Sequence, residues 1–364
     1  MTGDKNAFDA LRTPPRTGAM KWVPLALIAA VILFALIFPF IVDRPRFWLP
    51  NIGVRTFWLG IIAMSLVFLN RYVGLLSLAQ VTIAGACAYG VGYMMVTLEQ
   101  PFVVASLVGI VVGTGLSTLI ALIAARTRAI YFLMITLAMG QVFYSWASQS
   151  IEITNARRGL APVIRPDLGI VDLSDIQSFY YFALIVAVLC YLMCRLVAGS
   201  TFGIALQGVR DSPDRMKALG YNVFGYRVAA ITFAGFIASI GGVLLVMDRG
   251  QVDPDVVSLG STLDVLVVAV IGGIGSLGGV FAGGLVVTLL ANFAQNFTER
   301  YMTLTGLVFI LVLLFAPAGL AGVGAQVRRW LDRRRKRESS DTPPQNPPMA
   351  DRPEETAIAE GKQQ

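Results

Sequence analysis

No histidine occurs in the 364-residue chain, which removes the side chain that most often acts as a general base or metal ligand near neutral pH. The three cysteines, Cys87, Cys190 and Cys194, all lie in apolar runs, where a thiol packs as a small hydrophobe and a disulfide framework is not expected. Those runs hold no paired carboxylates and no cysteine beside a base, so an enzyme is not expected, and neither a metal nor a cofactor. What they do hold is a small set of neutral polar side chains, Gln80, Thr82, Thr136 and Gln141. Hydrocarbon penalises such groups unless they face a bundle interior or a wet pathway, which makes all four candidates for the lining of a translocation route. Two structural alternatives stand beside that reading: threonines bonded to their own helix backbone, and glutamines bonded between helices. Asp264 and Arg195 are the charges placed well within apolar runs, both close to an end, a position unsuited to a proton or sodium relay.

The sequence contains no G-x-x-x-x-G-K-[ST] pattern, so the chain does not bind ATP through a P-loop. Driven transport would then need a separate ATPase and a rigid handle for it to act on. The candidate handle is the segment 210–221, RDSPDRMKALGY. Ser212 suits a helix N-cap, Pro213 the first helical position, Asp214 the positive end of the dipole, Lys217 the other end and Gly220 the close. Met216 and Leu219 would be apolar anchors in a partner's groove, with Arg215 and Lys217 as charges. A solvated helix resting on lipid headgroups is the alternative.

The elements that must position these groups are membrane spans. Apolar residues make up 56% of the chain and charged residues 14%, against about 45–50% and about 25% in soluble domains. The net charge of +7 does not form a stripe suited to nucleic acid. Between Thr56 and Ala125 the charges are Arg71 and Glu99 alone, whereas residues 328–337 carry seven basic side chains, the pattern of membrane-flanking charge. Apolar runs near 22–42, 52–69, 74–98, 102–124, 129–147, 178–197, 228–247, 262–275, 277–297 and 301–320 give an all-α polytopic membrane protein of about ten transmembrane helices. The first run is too long for a signal peptide and lacks a small-x-small cleavage site. The eighth is short, and five glycines within residues 271–280 suit a broken or re-entrant segment. With the N-terminus inside, alternation leaves eight of the 29 basic residues outside, which favours an N-in, C-in arrangement. Residues 1–21 are then a cytoplasmic N-terminal segment, 22–325 the membrane domain with its handle within 199–227, and 326–364 a basic juxtamembrane stretch followed by a disordered cytoplasmic tail.

Gly109/Gly113, Ala234/Ala238/Gly242 and Gly279/Gly283 carry small residues at helix-packing spacing. Residues 74–85, GLLSLAQVTIAG, and 273–284, GIGSLGGVFAGG, share G-x-x-S-L-[AG]-x-V-x-x-[AG]-G. Glycine-interrupted segments in two halves point to a central translocation site. The span count puts both copies on one side, whereas an inverted repeat needs opposite sides.

GLLSLAQ at 74–80, YFLMITLAMGQ at 131–141, RDSPDRMKALGYNVFGYR at 210–227, VIGGIGSLGG at 270–279 and FAPAGLAGV at 315–323 resemble, in order, the permease subunit of the high-affinity branched-chain amino acid ABC importers. The resemblance covers roughly residues 50–325. It implies an ABC importer permease bundle in the bacterial inner membrane. It also implies a second, related permease subunit, two cytoplasmic ATP-binding subunits and a periplasmic solute-binding protein as partners. Arg210, Asp211, Arg215, Ala218, Leu219 and Gly220 match the family's coupling segment, which docks on the ATPase. Two regions depart from the family. Its outer loop commonly reads T-G-G-x-x-G-L where residues 154–160 are TNARRGL, and Pro213 and Met216 stand where an acidic residue and an alanine are usual. The first departure bears on solute and binding protein, the second on the ATPase. Branched-chain or related amino acids are the expected solute. Permeases of the same architecture for urea, amides or another small polar solute, and a stand-alone channel, are the alternatives.

Overall fold

The structure, a computed structural model, describes residues 45–127, 129–166 and 172–297, together with residues 35, 36, 38, 39, 306 and 319. The main helices are α1 (Arg55–Val73), α2 (Gln80–Val96), α3 (Phe102–Ala124), α4 (Ala129–Gln149), α5 (Ile176–Gly199), α6 (Thr201–Asp211), α7 (Pro213–Ala218), α8 (Val223–Arg249), α9 (Leu259–Gly272) and α10 (Gly279–Phe297). Among the described residues, five segments are long and apolar enough to cross a membrane: Leu49–Val73, Phe102–Ala124, Ile130–Gln149, Ile176–Gly199 and Val223–Arg249. Three apolar helices are shorter, Gln80–Val96, Leu259–Gly272 and Gly279–Phe293. All eight coincide with the expected spans from 52–69 to 277–297. The first and tenth expected spans, residues 1–21 and the tail lie outside the described residues, apart from the few positions named above.

α1 is the axis of the bundle. It is apolar on every side, the mark of a helix surrounded by protein, and 94% of its span is buried. It packs against α8, α10, α9 and α5. A π-helical turn, Leu49–Val54, leads into it, and there the Arg55 amide bonds to the Pro50 carbonyl. Gly53 lets this turn seat against the Tyr180 ring, which a Cβ would meet at 2.4 Å. α2, α3 and α8 form the tightest part of the bundle through the expected small residues. A Cβ on Gly109 would lie 2.5 Å from Val91, one on Gly113 2.4 Å from the Ser239 hydroxyl, and one on Gly242 2.2 Å from the Ala84 carbonyl oxygen. Close backbone approach of this kind substitutes for the hydrophobic driving force that lipid does not supply.

Several helix heads carry side-chain caps. Asp175, Ser200, Asn222 and Ser258 accept from the backbone N–H three residues on, at 3.2, 3.4, 3.0 and 3.3 Å. α1 ends on Gly74 at φ +74° and α9 on Gly273 at φ +100°. Arg71 at the end of α1 donates to the Gly275 carbonyl, so the loops 74–79 and 273–278 share one end of the bundle. The repeated pattern is therefore arranged in the same sense twice and is not inverted. At the opposite end Leu160 pairs with Val252, and the Val163 amide donates to the Gly250 carbonyl at 2.8 Å. These bonds pin the 150–163 loop to the turn between α8 and α9.

Candidate functional site

Three places collect the groups that chemistry or transport would use. The first is loop 74–79 with the head of α2. Gln80 reaches Ser65, which lies eight residues before the end of α1, or about two turns inside it. The loop thus dips into the bundle, with Ser77, Leu78 and Ala79 buried. Irregular backbone at such depth requires internal partners. The Thr136 hydroxyl accepts from the Leu78 amide at 3.2 Å and the Ser77 hydroxyl from the Ala79 amide at 3.4 Å.

Thr136 also donates to the Leu133 carbonyl at 3.0 Å, so both hydroxyl functions are engaged in holding backbone. Gln80 is 1% exposed. The Ser65 hydroxyl lies 2.6 Å from the Ile62 carbonyl and 3.0 Å from the Gln80 side-chain oxygen. One hydroxyl proton serves both acceptors, or the Gln80 amide is turned to donate to Ser65. As placed, the amide nitrogen of Gln80 and the hydroxyl of Thr82 meet no partner among the described residues. Thr82 lies against Gly140, whose Cβ would meet its hydroxyl at 2.9 Å, and Gln141 is half-buried on α4 next to it. Gln80, Thr82 and Thr136 thus gather where the head of α2 meets α4, and Gln141 follows Gly140 in the chain. Thr136 bonds backbone there, Gln80 bridges to Ser65, and Thr82 and the Gln80 amide nitrogen have no partner.

The second place is the handle. α6 and α7 meet at Ser212, with φ −154° and ψ 84° and no side-chain cap bond. Ser212 closes α6, its amide donating to the Gly208 carbonyl at 3.0 Å, as it opens α7, its carbonyl accepting from Met216 at 3.1 Å. That double duty fixes its backbone away from capping geometry, so the expected Ser212 side-chain cap does not form. Met216 turns inward onto Gly208, which lacks the Cβ that its sulfur would meet at 2.8 Å. Arg215, Ala218, Leu219 and Gly220 are exposed, Leu219 by 67%. Arg210 pairs with Asp211 at 2.8 Å and donates to the Arg71 carbonyl, which ties the base of the handle to the end of the central helix. Lys217 and Asp214 pair at 3.6 Å across an exposed turn.

The third place escaped the sequence reading. A cavity of about 90 Å3 opens between α1, α8, α9 and α10. Arg55, Arg249, Ser261, Asp264 and Thr288 supply its polar lining. Behind it the Trp58 indole donates to Asp248 at 3.0 Å. The only signal in the chain is that Asp264 interrupts an otherwise uncharged helix.

In the 150–163 loop, the two positions where the family pattern has glycine are Asn155 and Ala156, and both take left-handed backbone, at φ +58° and +50°. The loop keeps a glycine's conformation without the glycines. Arg157 and Arg158 point outward and are exposed.

Residues 49–317 match the family described as branched-chain amino acid transport system / permease component. The chain belongs to the branched-chain amino acid transport permease family. As a member of this permease family it is a multi-pass membrane protein and a transport subunit, not an enzyme. It is similar to the high-affinity branched-chain amino acid transport system permease protein LivM of Salmonella typhimurium, at 23% identity over 321 residues, 80% of this chain and 74% of LivM. LivM of Escherichia coli is likewise 23% identical over 322 residues, with the same coverage of both chains. The permease protein BraD of Pseudomonas aeruginosa is 32% identical over a shorter stretch of 130 residues, 35% of this chain and 41% of BraD.

Proposed function

We propose that this permease is the membrane subunit of an ATP-driven importer, carrying branched-chain or related amino acids that a periplasmic binding protein delivers. Its partners are a second permease subunit and two cytoplasmic ATPases, and it sits in the bacterial inner membrane with both termini inside. The observation that carries the reading is the handle. A short helix with exposed Arg215 and Leu219 projects from the end of the bundle where Arg71, Arg126 and Arg227 also lie, the side that positive charge marks as cytoplasmic. An apolar residue presented among charges on a rigid turn suits a groove in a soluble partner. Because Arg210 is bound to the end of α1, a push on the handle reaches the central helix directly. A binding protein that captures and desolvates the solute leaves the permease needing only a weak route with a few polar contacts, for which the unpartnered Gln80 amide and Thr82 hydroxyl are suited, with Gln141 and Thr136 beside them.

The test is the double substitution Arg215→Glu with Leu219→Asp in the assembled transporter. ATP-driven leucine uptake is lost while membrane insertion persists, since neither residue is buried. Normal uptake in the double variant removes the handle assignment. Liposomes holding this chain alone that pass solute at full rate would overturn the whole reading.

A further inference from the structure

We infer that Arg227 is a positioning residue that makes α4 follow the handle: its guanidinium clasps the backbone between α3 and α4 to the head of α8, so that the handle, the head of α8 and the start of α4 move as one piece. The inference rests on the handle reading above and deepens it by naming the helix that the handle moves.

The handle runs into α8 without a free joint. The Tyr221 amide donates to the Met216 carbonyl and the Val223 amide to the Tyr221 carbonyl, both at 3.0 Å, and Asn222 caps α8 on the Gly225 amide at 3.0 Å. The Tyr221 ring lies 5.8 Å from that of Tyr226, which stacks at 5.6 Å on Phe202 at the head of α6. Backbone bonds and ring contacts of this kind make one stiff unit of the handle and the first turn of α8.

From the head of α8 two contacts reach residues 125–127, between α3 and α4. One guanidinium nitrogen of Arg227 donates to the Ala125 carbonyl at 3.3 Å and to the Thr127 carbonyl at 3.4 Å. In the other direction the Arg126 guanidinium lies 5.1 Å from the centre of the Phe224 ring, a cation over an aromatic face. The connection is thus gripped from both sides, and α4 begins two residues beyond it, at Ala129.

Capping the end of α3 does not account for Arg227. Its Nε is buried without a partner, and no carboxylate pairs with it among the described residues. A half-buried cation without a counter-charge is costly, and the last carbonyls of a helix can be satisfied by water instead. A stiff link between two moving elements gives that cost a use, because a planar guanidinium holds its acceptors in a fixed geometry.

The clasp also holds the helix that is freest to move. The span at 130–149 is the least buried of the five, 22% against 94% for the span of α1, and an element with few packed contacts is displaced at low cost. α4 carries Thr136, which accepts from the Leu78 amide, and Gly140, which lies against Thr82. A shift of α4 past the head of α2 therefore rearranges the loop 74–79 and the unpartnered Gln80 and Thr82 groups beside it.

The experiment uses the complete transporter, with its ATPases, second permease and leucine-loaded binding protein, in proteoliposomes, and reads leucine imported per ATP hydrolysed. Arg227→Met keeps the apolar stem and removes the donors. Uptake falls about tenfold while ATP hydrolysis stays within about twofold of wild type, the size of an ordinary coupling between sites, and Arg227→Lys restores part of the ratio. An unchanged ratio, or uptake and hydrolysis that fall together with the thermal midpoint, overturns the clasp and leaves the handle reading standing. A second measurement keeps Arg227 native. Spin labels are placed pairwise through Asp214→Cys on the handle, Ile130→Cys on α4 and Gly275→Cys in the loop before α10, all at exposed positions, the native cysteines being buried. When ATP binds, the 214–130 distance stays constant while the 214–275 and 130–275 distances change. A 130–275 distance that stays fixed while 214–275 changes overturns the clasp, and a 214–275 distance that does not respond to ATP overturns the handle reading itself.

Discussion

At residues 74–85 and again at residues 273–284 the chain passes through the same order of local features. A helix ends on a positive-φ glycine, Gly74 or Gly273. A serine, Ser77 or Ser276, then accepts a backbone N–H two or three residues on, and the next helix opens at Gln80 or at its counterpart Gly279. The chemistry set within that order is different. The first copy puts Gln80 and Thr82 at positions where the second has Gly279 and Phe281. The first loop dips into the bundle and is held by the Thr136 hydroxyl, whereas the second is held by Arg71. A group that one copy carries and the other lacks is not required by the shared features. The glycines and serines are thus the packing device, and the buried polar pair of the first copy needs another explanation, for which we propose solute passage.

The sharpest way to break this comparison is to exchange residues between the copies. Gly283 corresponds to Ala84. A Cβ on Gly283 would meet backbone of α9, 2.2 Å from the Val268 carbonyl oxygen and 2.6 Å from the Gly272 nitrogen, and backbone cannot step aside as a flexible side chain can. Gly283→Ala is expected to lower stability by about 3 kcal/mol or more, at or beyond the top of the overpacking range. The measurement is the thermal midpoint and the folded yield in detergent. The reverse exchange, Ala84→Gly, removes a methyl from a helix and is expected to cost about 1 kcal/mol. Equal effects would show that the two copies pack alike.

The next largest effect separates how the loops are held. Thr136→Val keeps the shape of the side chain and removes the acceptor of the Leu78 amide. Leu78 is buried, and a buried N–H left without an acceptor costs about 1–3 kcal/mol. The thermal midpoint falls accordingly, and exchange of the Leu78 amide with solvent deuterium rises while that of α3 does not. An unchanged midpoint would mean that water reaches the loop and the first copy is no more enclosed than the second.

Much of the architecture is legible in the chain because uncharged runs long enough for a bilayer leave their backbone no partner but itself, and each inner run became a helix. Depth in the bundle is not legible in the same way. α1 and α4 are both apolar, yet 94% of the first span and 22% of the span at 130–149 are buried. Lipid tails and protein core make the same demand on composition, so hydropathy does not tell an axial helix from a peripheral one. The short helix at 213–218 was readable in outline from Pro213, Asp214 and Gly220, but not the closure of α6 on Ser212 that takes away its cap. The charged cavity was hidden for a different reason. Arg55, Arg249 and Asp264 each stand near the end of an apolar run, where charge is ordinary, and only the packing of α1, α8 and α9 brings them to one space.

The smallest expected effect concerns the serine of the second copy. Ser276 accepts from the Gly279 amide at 3.2 Å, at the head of α10, and it is only partly buried. Ser276→Ala removes an N-terminal acceptor, a change worth about 1 kcal/mol at a typical cap and less where water can take the donor. A drop in thermal midpoint well below that of Thr136→Val is therefore expected. Should Ser276→Ala destabilise as strongly as Thr136→Val, the second loop would be as closed to water as the first. The contrast between an enclosed polar loop and an open glycine-rich one would then fail, and with it the argument that assigns Gln80 and Thr82 to solute passage.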